Sequence, residues 1–307
     1  MERQEGIHQG TSLSLFLANI AAYPLDRRLE GLGVGFARYA DDTLIWSDTY
    51  SEIGRAANAL EETAIEMGVD INFLKSKGIT LLAPPGMRAE IPAQNSVDFI
   101  GYKLSQANLS IRDQKVMDIK KNISFLIYKN LLQEPKRHYF NSDRMLGPID
   151  RDYPVLIYQL RRYLYGGLSE SMLRRYLVRQ IPKLRFKGLM SFYPIVDDEK
   201  LLRELDGWML SVVIRALELR AQLWTSYYPG ALPTPHGCSR AQLLQLRHNP
   251  GSGPLQDLRF PSFLRISRLL RRASTTYGPS TIANAQSSRY HSSATNMSST
   301  DGSSTRP

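Results

Sequence analysis

A chain of 307 residues is long enough to bury a sizeable core and fits two domains. Its apolar content of 42% is ordinary for a soluble protein, and no apolar run approaches the ~20 residues that a membrane helix needs, so we expect no membrane partner. The single cysteine, Cys238, excludes an internal disulfide and, with no visible N-terminal signal, suits the reducing cytoplasm.

The first predicted element is a glycine-framed loop that opens a helix. The loop runs from Gly6 to Ser12 and contains Gln9 and Gly10. Apolar residues then recur at helical spacing: Leu13, Phe16, Leu17 and Ile20. Such a loop lets backbone N–H groups approach a phosphate or a base. An ordinary turn is the plainer alternative, and Pro24 is expected to kink the helix.

Two short apolar runs, Val34 to Ala37 and Thr43 to Trp46, flank the tetrapeptide Tyr39-Ala40-Asp41-Asp42. This pattern predicts a β-hairpin with two adjacent carboxylates at its tip. Because adjacent acids repel each other, a bound cation would explain the pair, and hard oxygen ligands suit Mg²⁺. Two metals can clamp the attacking and leaving oxygens of a phosphoryl displacement. A solvated acidic turn remains the alternative for the tetrapeptide alone.

Three further elements follow the hairpin. Ser51 to Met67 is predicted to be an amphipathic helix with Gly68 at its C-cap, and its inward face is Ile53, Ala57, Leu60, Ala64 and Met67. The segment from Gly68 to Ser76 contains Asn72 and Lys75, and a short strand follows at Ile79 to Leu82. The run from Phe99 to Ser105 begins Phe-Ile-Gly-Tyr. Taken singly, Lys75 could be a solvated lysine, and Phe99 and Tyr102 could be core residues of a strand.

Four of these elements resemble, in this order, the palm of reverse transcriptases of the bacterial type found in group II introns, retrons and phage-defence polymerases. They are the loop with Gln9 and Gly10, the acidic hairpin, the segment from Gly68 to Ser76 and the run from Phe99 to Ser105. The resemblance covers residues 5–110. It implies RNA-directed DNA synthesis, in which a dNTP is added to a primer 3′-hydroxyl with RNA template and DNA primer as partners. It also implies a role for each matching residue: Asp41 and Asp42 as Mg²⁺ ligands, Lys75 as a catalytic residue at the nucleotide phosphates, Gln9, Gly10, Tyr39 and Ala40 beside the nucleotide and template, and Phe99, Gly101 and Tyr102 at the primer.

The family also has a metal-binding aspartate and a fingers region upstream of the Gln-Gly loop, and only five residues precede Gly6. We therefore expect an incomplete two-metal site. Asp26, Asp48 and Asp70 do not lie in an apolar strand that would replace the missing ligand. Two interpretations stay open: the C-terminal part of a polymerase with an upstream fragment as partner, or a non-catalytic nucleic-acid-binding remnant. An RNA-templated replicase or a template-free polymerase would share the site, and an associated non-coding RNA and a role in antiviral defence stay open as well.

Charge is divided unevenly along the chain. Residues 1–110 have a net charge of −5 and residues 111–307 a net charge of +15. A basic part beside a cation-binding part is what a template-primer polymerase needs. Predicted helices at Tyr153 to Tyr165 and Glu170 to Ile181 carry the arginines expected to contact nucleic-acid phosphates: Arg161, Arg162, Arg174 and Arg175. Solvated arginines on a generic basic helical domain are the alternative.

The expected fold class is α+β, a partial polymerase palm at 1–110 followed by a helical, basic thumb or C-terminal domain at 111–272. In the second part, helices are expected from Asp113 to a stop at Pro135, from a cap at Asp197 or Asp198, and from Leu258 to Arg272. We assign no catalytic or binding chemistry to the run from Lys187 to Pro194. The Ser/Thr-rich tail at 273–307 is expected to be disordered.

Overall fold

The computed structural model describes residues 13–137, 139, 141–166, 168, 170–180, 187–228, 230–251 and 255–277. It combines helices with small sheets, in agreement with an α+β class. The chain divides into two compact units, residues 1–112 and 113–307, close to the expected boundary at 110. Within the described ranges, no helix is both long and apolar enough to cross a membrane.

The first unit mixes helices with short strands. Its described elements are α1 (Ser14–Ala21), α2 (Tyr23–Leu32), β1 (Gly35–Tyr39), β2 (Asp42–Trp46), α3 (Tyr50–Glu66), β3 (Leu81–Leu82), β4 (Ala93–Gln94), β5 (Val97–Phe99), β6 (Tyr102–Leu104) and β7 (Leu109–Ile111). β1 pairs with β2 in antiparallel register, and β3 pairs with β4 in parallel register. β5, β6 and β7 form a three-stranded antiparallel sheet.

α2 and α3 pack beside the β1–β2 hairpin around a small core of Leu25, Leu29, Val34 and Ala56. The buried side of α3 differs from the prediction, because Thr63 is buried and Met67 is exposed. An Arg28 guanidinium nitrogen donates to the Thr63 hydroxyl at 2.8 Å, which turns that side of α3 toward α2. The predicted kink at Pro24 is also wrong. α1 ends at Ala21, and Pro24 lies in the first turn of α2, where its missing N–H removes no helical hydrogen bond.

The second unit is mainly helical. Its described elements are α4 (Asp113–Ile127), a π-helical segment (Tyr128–Leu132), α5 (Gln133–Lys136), a 3₁₀ turn (Ser142–Arg144), α6 (Asp152–Tyr165), α7 (Glu170–Leu177), a 3₁₀ turn (Leu189–Phe192), α8 (Glu199–Thr225), α9 (Arg240–Gln245), β8 (Arg247–His248), β9 (Gln256–Asp257) and α10 (Phe263–Tyr277). α8 packs against α4 and α10. The core takes apolar residues from several helices, including Ile119, Ile123, Leu156, Leu160, Leu205, Met209, Val213, Phe263 and Ile266.

Several helix ends differ from the predicted ones for identifiable reasons. Asp198 caps α8 as predicted, with its carboxylate accepting from the Leu201 N–H at 3.0 Å. The helical path from α4 continues through the π-helical segment and α5 and ends at Lys136, one residue beyond the predicted stop at Pro135. α10 begins at Phe263 rather than Leu258, because the Asp206 carboxylate on α8 accepts from the Phe263 N–H at 2.6 Å. Burial raises the pKa of Asp206.

The segment from Lys187 to Pro194 is a packing element. Gly166 ends α6 with a left-handed φ of 65°, and the backbone of Gly188, with φ 91°, crosses it. A Cβ on Gly188 would lie 2.5 Å from the Gly166 nitrogen and 2.9 Å from the carbonyl carbon of Leu164. Met190 and Ser191 are buried directly after this crossing. The two glycines therefore allow two backbones to touch, which explains the motif without any chemistry.

Replacing Gly188 by alanine should destabilise the second unit by about 2–4 kcal/mol, because a Cβ has no space there and the conformation is one that only glycine adopts readily. The measurement is urea denaturation of the full chain. Gly207→Ala is the matched control, since that glycine lies within α8 and an added Cβ would meet nothing within 4 Å, and it should stabilise by about 0.5–1 kcal/mol. Equal stability of Gly188→Ala and the unaltered chain would contradict the crossing.

Candidate active site

The two acidic residues lie at the tip of the β1–β2 hairpin. Tyr39 pairs with Asp42, so the connecting loop consists of Ala40 and Asp41 alone. Ala40 has a positive φ of 56°, which a two-residue hairpin loop requires because its twist must match that of the strands. Asp41 and Asp42 are both exposed, and Tyr39 is exposed beside them. The prediction of adjacent carboxylates at a hairpin tip therefore agrees with the structure.

Arg38, in strand β1, hydrogen-bonds to the loop at this tip and to the two helices before it. Its Nε and one Nη donate to the Asp26 carboxylate at 2.7 and 2.5 Å. The other Nη donates to the Asn19 side-chain oxygen at 3.0 Å and to the Ala40 carbonyl at 3.3 Å. The hydrogen bonds to Asp26 raise the pKa of Arg38. Since both Asp26 oxygens accept from Arg38, Asp26 serves the hairpin and not a metal.

Sequence reasoning missed Arg38, although a signal was present. A charged residue directly before an exposed acidic tip, in a strand that is otherwise apolar, needs a partner, and Asp26 lies only 12 residues upstream. The side chain of Arg38 is only 8% exposed, so it cannot be a solvated surface arginine. Its contacts join α1, α2 and the tip, and they fix the backbone that carries Asp41.

Replacing Arg38 by lysine should loosen the tip, because an ammonium cannot reproduce the two-pronged contact with Asp26. We expect a loss of about 1–3 kcal/mol in the local stability of the hairpin, seen as faster amide hydrogen exchange in β1 and β2. Arg27→Lys is the control, because Arg27 makes an exposed pair with Glu30 on α2 and should change exchange little. Unchanged exchange in Arg38→Lys would show that the tip does not depend on this contact.

The donor set at the tip fits a hard divalent cation. Two exposed carboxylates leave room for water and for substrate phosphate oxygens, which is how Mg²⁺ is commonly held. Across the described ranges, no group of three or more His, Cys, Asp or Glu side chains is arranged to hold a metal. In a metal site, the two carboxylates would be one part of the ligand set and would require further ligands from elsewhere.

Lys75 lies in a turn that Asn72 organises. The Asn72 carbonyl accepts from the N–H groups of Lys75 and Ser76 at 3.0 and 2.9 Å, and the Asn72 side-chain oxygen accepts from the Lys75 N–H at 3.2 Å. This local bonding explains why asparagine and lysine occur three residues apart. The Lys75 side chain is exposed and belongs to the same unit as the acidic tip.

The residues predicted to contact the primer form a second hairpin in the same unit. Phe99 pairs with Tyr102, and Ile100 and Gly101 make the loop with positive φ values of 47° and 82°. Two positive φ values are typical of a type I′ turn, which favours Asn-Gly, so a β-branched Ile100 at the first position is an outlier. Ile100 is 46% exposed at this tip. Gln9 and Gly10 lie outside the described residues.

The four predicted arginines belong to the second unit and differ from one another. Arg161 donates to the Asp257 and Arg259 carbonyls at 2.7 and 2.5 Å and also pairs with the Asp257 carboxylate. Its guanidinium is therefore used to fix the segment that contains β9. The other three are exposed: Arg162, Arg174 and Arg175.

Residues 1–129 match the family described as reverse transcriptase (RNA-dependent DNA polymerase). The matched range contains the acidic hairpin, the Lys75 turn, the second hairpin and α4, and it supports the reverse transcriptase family for this part of the chain. No curated protein matches the chain.

Proposed function

We propose that this protein is an RNA-directed DNA polymerase of the bacterial type found in group II introns, retrons and phage-defence polymerases, acting in the cytoplasm. The observation that carries the proposal is the pair of exposed carboxylates, Asp41 and Asp42, on a two-residue loop whose backbone Arg38 supports. This pair lies within the segment that matches reverse transcriptases. Adjacent carboxylates on a supported tip suit metal-dependent nucleotidyl transfer.

Each further residue has a proposed role in that reaction. Asp41 and Asp42 would hold Mg²⁺, which supplies charge stabilisation to the displacement at the α-phosphate. Lys75, presented by the Asn72 turn, neutralises or protonates the pyrophosphate leaving group. Two sets of residues then position the reactants: Gln9, Gly10, Tyr39 and Ala40 at the nucleotide and template, and Phe99, Gly101 and Tyr102 at the primer end.

The basic second part supports template-primer binding. Residues 111–307 have a net charge of +15, and Arg162, Arg174 and Arg175 are exposed. We propose that these three contact phosphates, where charge gives affinity without reading the sequence. Arg161 is left out of this set, because its internal hydrogen bonds occupy the guanidinium. RNA template, DNA primer and dNTP are the proposed ligands, and a non-coding RNA is a proposed partner.

A second candidate function is a non-catalytic nucleic-acid-binding protein or one part of a split polymerase. The observation that favours it is the ligand set at the tip, since no third carboxylate joins Asp41 and Asp42 among the described residues. In a split enzyme, an upstream polymerase fragment would supply that carboxylate as a partner chain.

Primer extension separates these candidates. The purified chain is given an RNA template, a labelled DNA primer, dNTPs and Mg²⁺, with a chelator and with NTPs in parallel reactions. Extension that needs dNTPs and Mg²⁺ would support the polymerase. Absence of extension, with salt-sensitive template-primer binding retained, would favour the second candidate. Absence of both extension and binding would refute both functions.

A further inference from the structure

α7 ends with an arginine where helices usually have glycine. The Gln180 N–H donates to the Arg175 carbonyl at 2.9 Å, and the Arg179 N–H donates to the Tyr176 carbonyl at 3.0 Å. This pair of hydrogen bonds defines a Schellman motif with Arg179 at its left-handed position, and the φ of Arg179 is 60°. A side chain at that position is disfavoured, because Cβ crowds the backbone, so glycine is the usual residue.

Internal contacts do not explain why an arginine takes this position. Arg179 is exposed, as are Arg174 and Arg175 one turn earlier on the same helix. Other arginines of this unit have clear partners: Arg220 pairs with buried aspartates and Arg268 pairs with Glu199. Among the side chains that the structure describes, no carboxylate forms an ion pair with Arg174, Arg175 or Arg179. Strain at an exposed residue that has no ion-pair partner among those side chains points to an external ligand.

The end of α10 lies against this turn. The Tyr277 hydroxyl is 2.9 Å from the Tyr176 carbonyl and 3.1 Å from the Leu177 carbonyl, and the Tyr176 and Tyr277 rings are 4.7 Å apart. We define the α7–α10 basic patch as Arg174, Arg175 and Arg179, the exposed arginines at the end of α7 that contacts α10.

The chemistry of the patch favours phosphates. All three side chains are guanidinium groups, whose planar fork matches a phosphate with two parallel hydrogen bonds. Tyr176 is buried against Tyr277, so its ring offers no face for stacking a base. A lipid surface fits less well, because the apolar side of α10 (Phe263, Ile266, Leu270) is buried in the protein rather than free to enter a bilayer.

A purely structural explanation covers only part of the patch. Positive charges near the C-terminus of a helix interact favourably with its dipole, which accounts for Arg174 and Arg175. It does not account for Arg179, because a glycine at that position would remove the strain while the two other charges remain. Arg179, with its left-handed backbone conformation, is therefore the residue that distinguishes the helix-dipole explanation from an external ligand.

We propose that the α7–α10 basic patch binds the phosphate backbone of nucleic acid, and that Arg179 occupies a glycine position for this contact. The proposal deepens the function proposed above and rests on it for the choice of nucleic acid as the ligand. It adds Arg179 to the contact surface and predicts opposite effects of one substitution on stability and on binding.

The test is Arg179→Gly in the full chain, with a fluorescently labelled RNA–DNA template-primer and no dNTP, so that binding is measured apart from synthesis. We expect a thermal midpoint equal to or above that of the unaltered protein. We expect the Kd to rise about 3- to 10-fold at ~100 mM salt, and the slope of log K against log salt to become shallower by about 0.7–0.9. Arg179→Lys keeps the charge and should retain most of the affinity.

Arg203→Ala is the control, because it removes an exposed arginine that pairs with Glu199, and it should keep the Kd. An unchanged Kd in Arg179→Gly, or a fall in its thermal midpoint with the loss of binding, would overturn the proposal. Loss of binding to phosphatidylglycerol vesicles with nucleic-acid binding unchanged would overturn it in favour of a lipid surface. Failure of primer extension with Arg179-dependent binding intact would refute only the polymerase activity.

Discussion

Replacing Asp41 and Asp42 together by asparagine should lower the rate of primer extension by about three orders of magnitude or more. Asparagine keeps the size of each side chain but removes the charge that holds a divalent cation, and metal ions contribute several kcal/mol to phosphoryl transfer. Folding should be unaffected, because both side chains are exposed at the tip and the Arg38 contacts lie beneath it. The variant also loses the repulsion between two adjacent carboxylates, which should slightly raise its folding stability.

The measurement combines extension kinetics with Mn²⁺ binding followed by electron paramagnetic resonance. Where a partner fragment is needed for synthesis, the same comparison is made with the fragment present. Asp48→Asn is the matched control, because Asp48 is exposed just beyond β2 and outside the tip. It should retain both synthesis and Mn²⁺ binding. Undiminished synthesis by the double variant would remove Asp41 and Asp42 from the proposed site.

Replacing Arg220 by methionine should destabilise the second unit by about 3–5 kcal/mol. The Arg220 side chain is 5% exposed and donates to Asp150 at 2.7 Å, to Asp152 at 2.6 Å and to the Leu131 carbonyl at 2.8 Å. Methionine matches its bulk but leaves Asp150 buried beside His236 without its arginine, and it leaves Asp152 with Arg144 alone, 3.0 Å away. Removing one partner in this way is the costly way to break a buried ion pair. Urea denaturation measures the loss. Arg203→Met, which removes an exposed pair with Glu199, should cost below about 0.5 kcal/mol.

The effect of Arg220→Met should depend on pH in a defined direction. Burial alone would raise the pKa of Asp150, but the hydrogen bond from His236 and the charge of Arg220 hold that pKa below its usual range. In the unaltered chain, the folding stability that comes from the lowered pKa of Asp150 is present above the unfolded-state pKa. It is lost only as pH falls through the lowered folded-state pKa. Without Arg220, the pKa of Asp150 should rise above its unfolded value, and the pKa of Asp152, which burial already raises, should rise further, so that stability is lost as pH rises.

The difference in stability between the two proteins should therefore be larger at about pH 7.5 than at about pH 5. Denaturation curves at the two pH values measure this difference. His236 stays beside Asp150 in both proteins, as its Nε2 is 3.0 Å from the Asp150 carboxylate, so its contribution is shared by the two proteins to a first approximation. A difference in stability that is the same at both pH values would mean that the carboxylates gain water or another partner when Arg220 is absent.

The local parts of the fold could be predicted from the sequence. The acidic hairpin follows from apolar runs on either side of a polar loop, and the loop residues Ala40 and Asp41 follow from the spacing. The end of α6 at Gly166 and the cap of α8 at Asp198 are likewise signals within a few residues. In each case the residues that decide the structure are neighbours in the chain.

Features that depend on distant residues could not be predicted in this way. The sequence pattern predicts that Arg161 meets nucleic acid, but its hydrogen-bond partners lie 96 and 98 residues further along the chain. The start of α10 depends on Asp206, and the role of Gly188 depends on Gly166. At the candidate site, the carboxylates are visible in the sequence, whereas the support from Arg38 requires knowing which helix face carries Asp26.

α1 shows none of its residues buried, and Leu13 and Phe16 at this end of the unit are 61% and 60% exposed. Close by in the chain, and within the residues that the structure describes, β1 and β2 form a sheet of two strands whose outer edges offer unpaired backbone groups. Apolar surface beside open strand edges promotes self-association. During expression and purification, this first unit is therefore where aggregation should begin, and a charged substitution such as Phe16→Lys should improve solubility without touching the acidic tip.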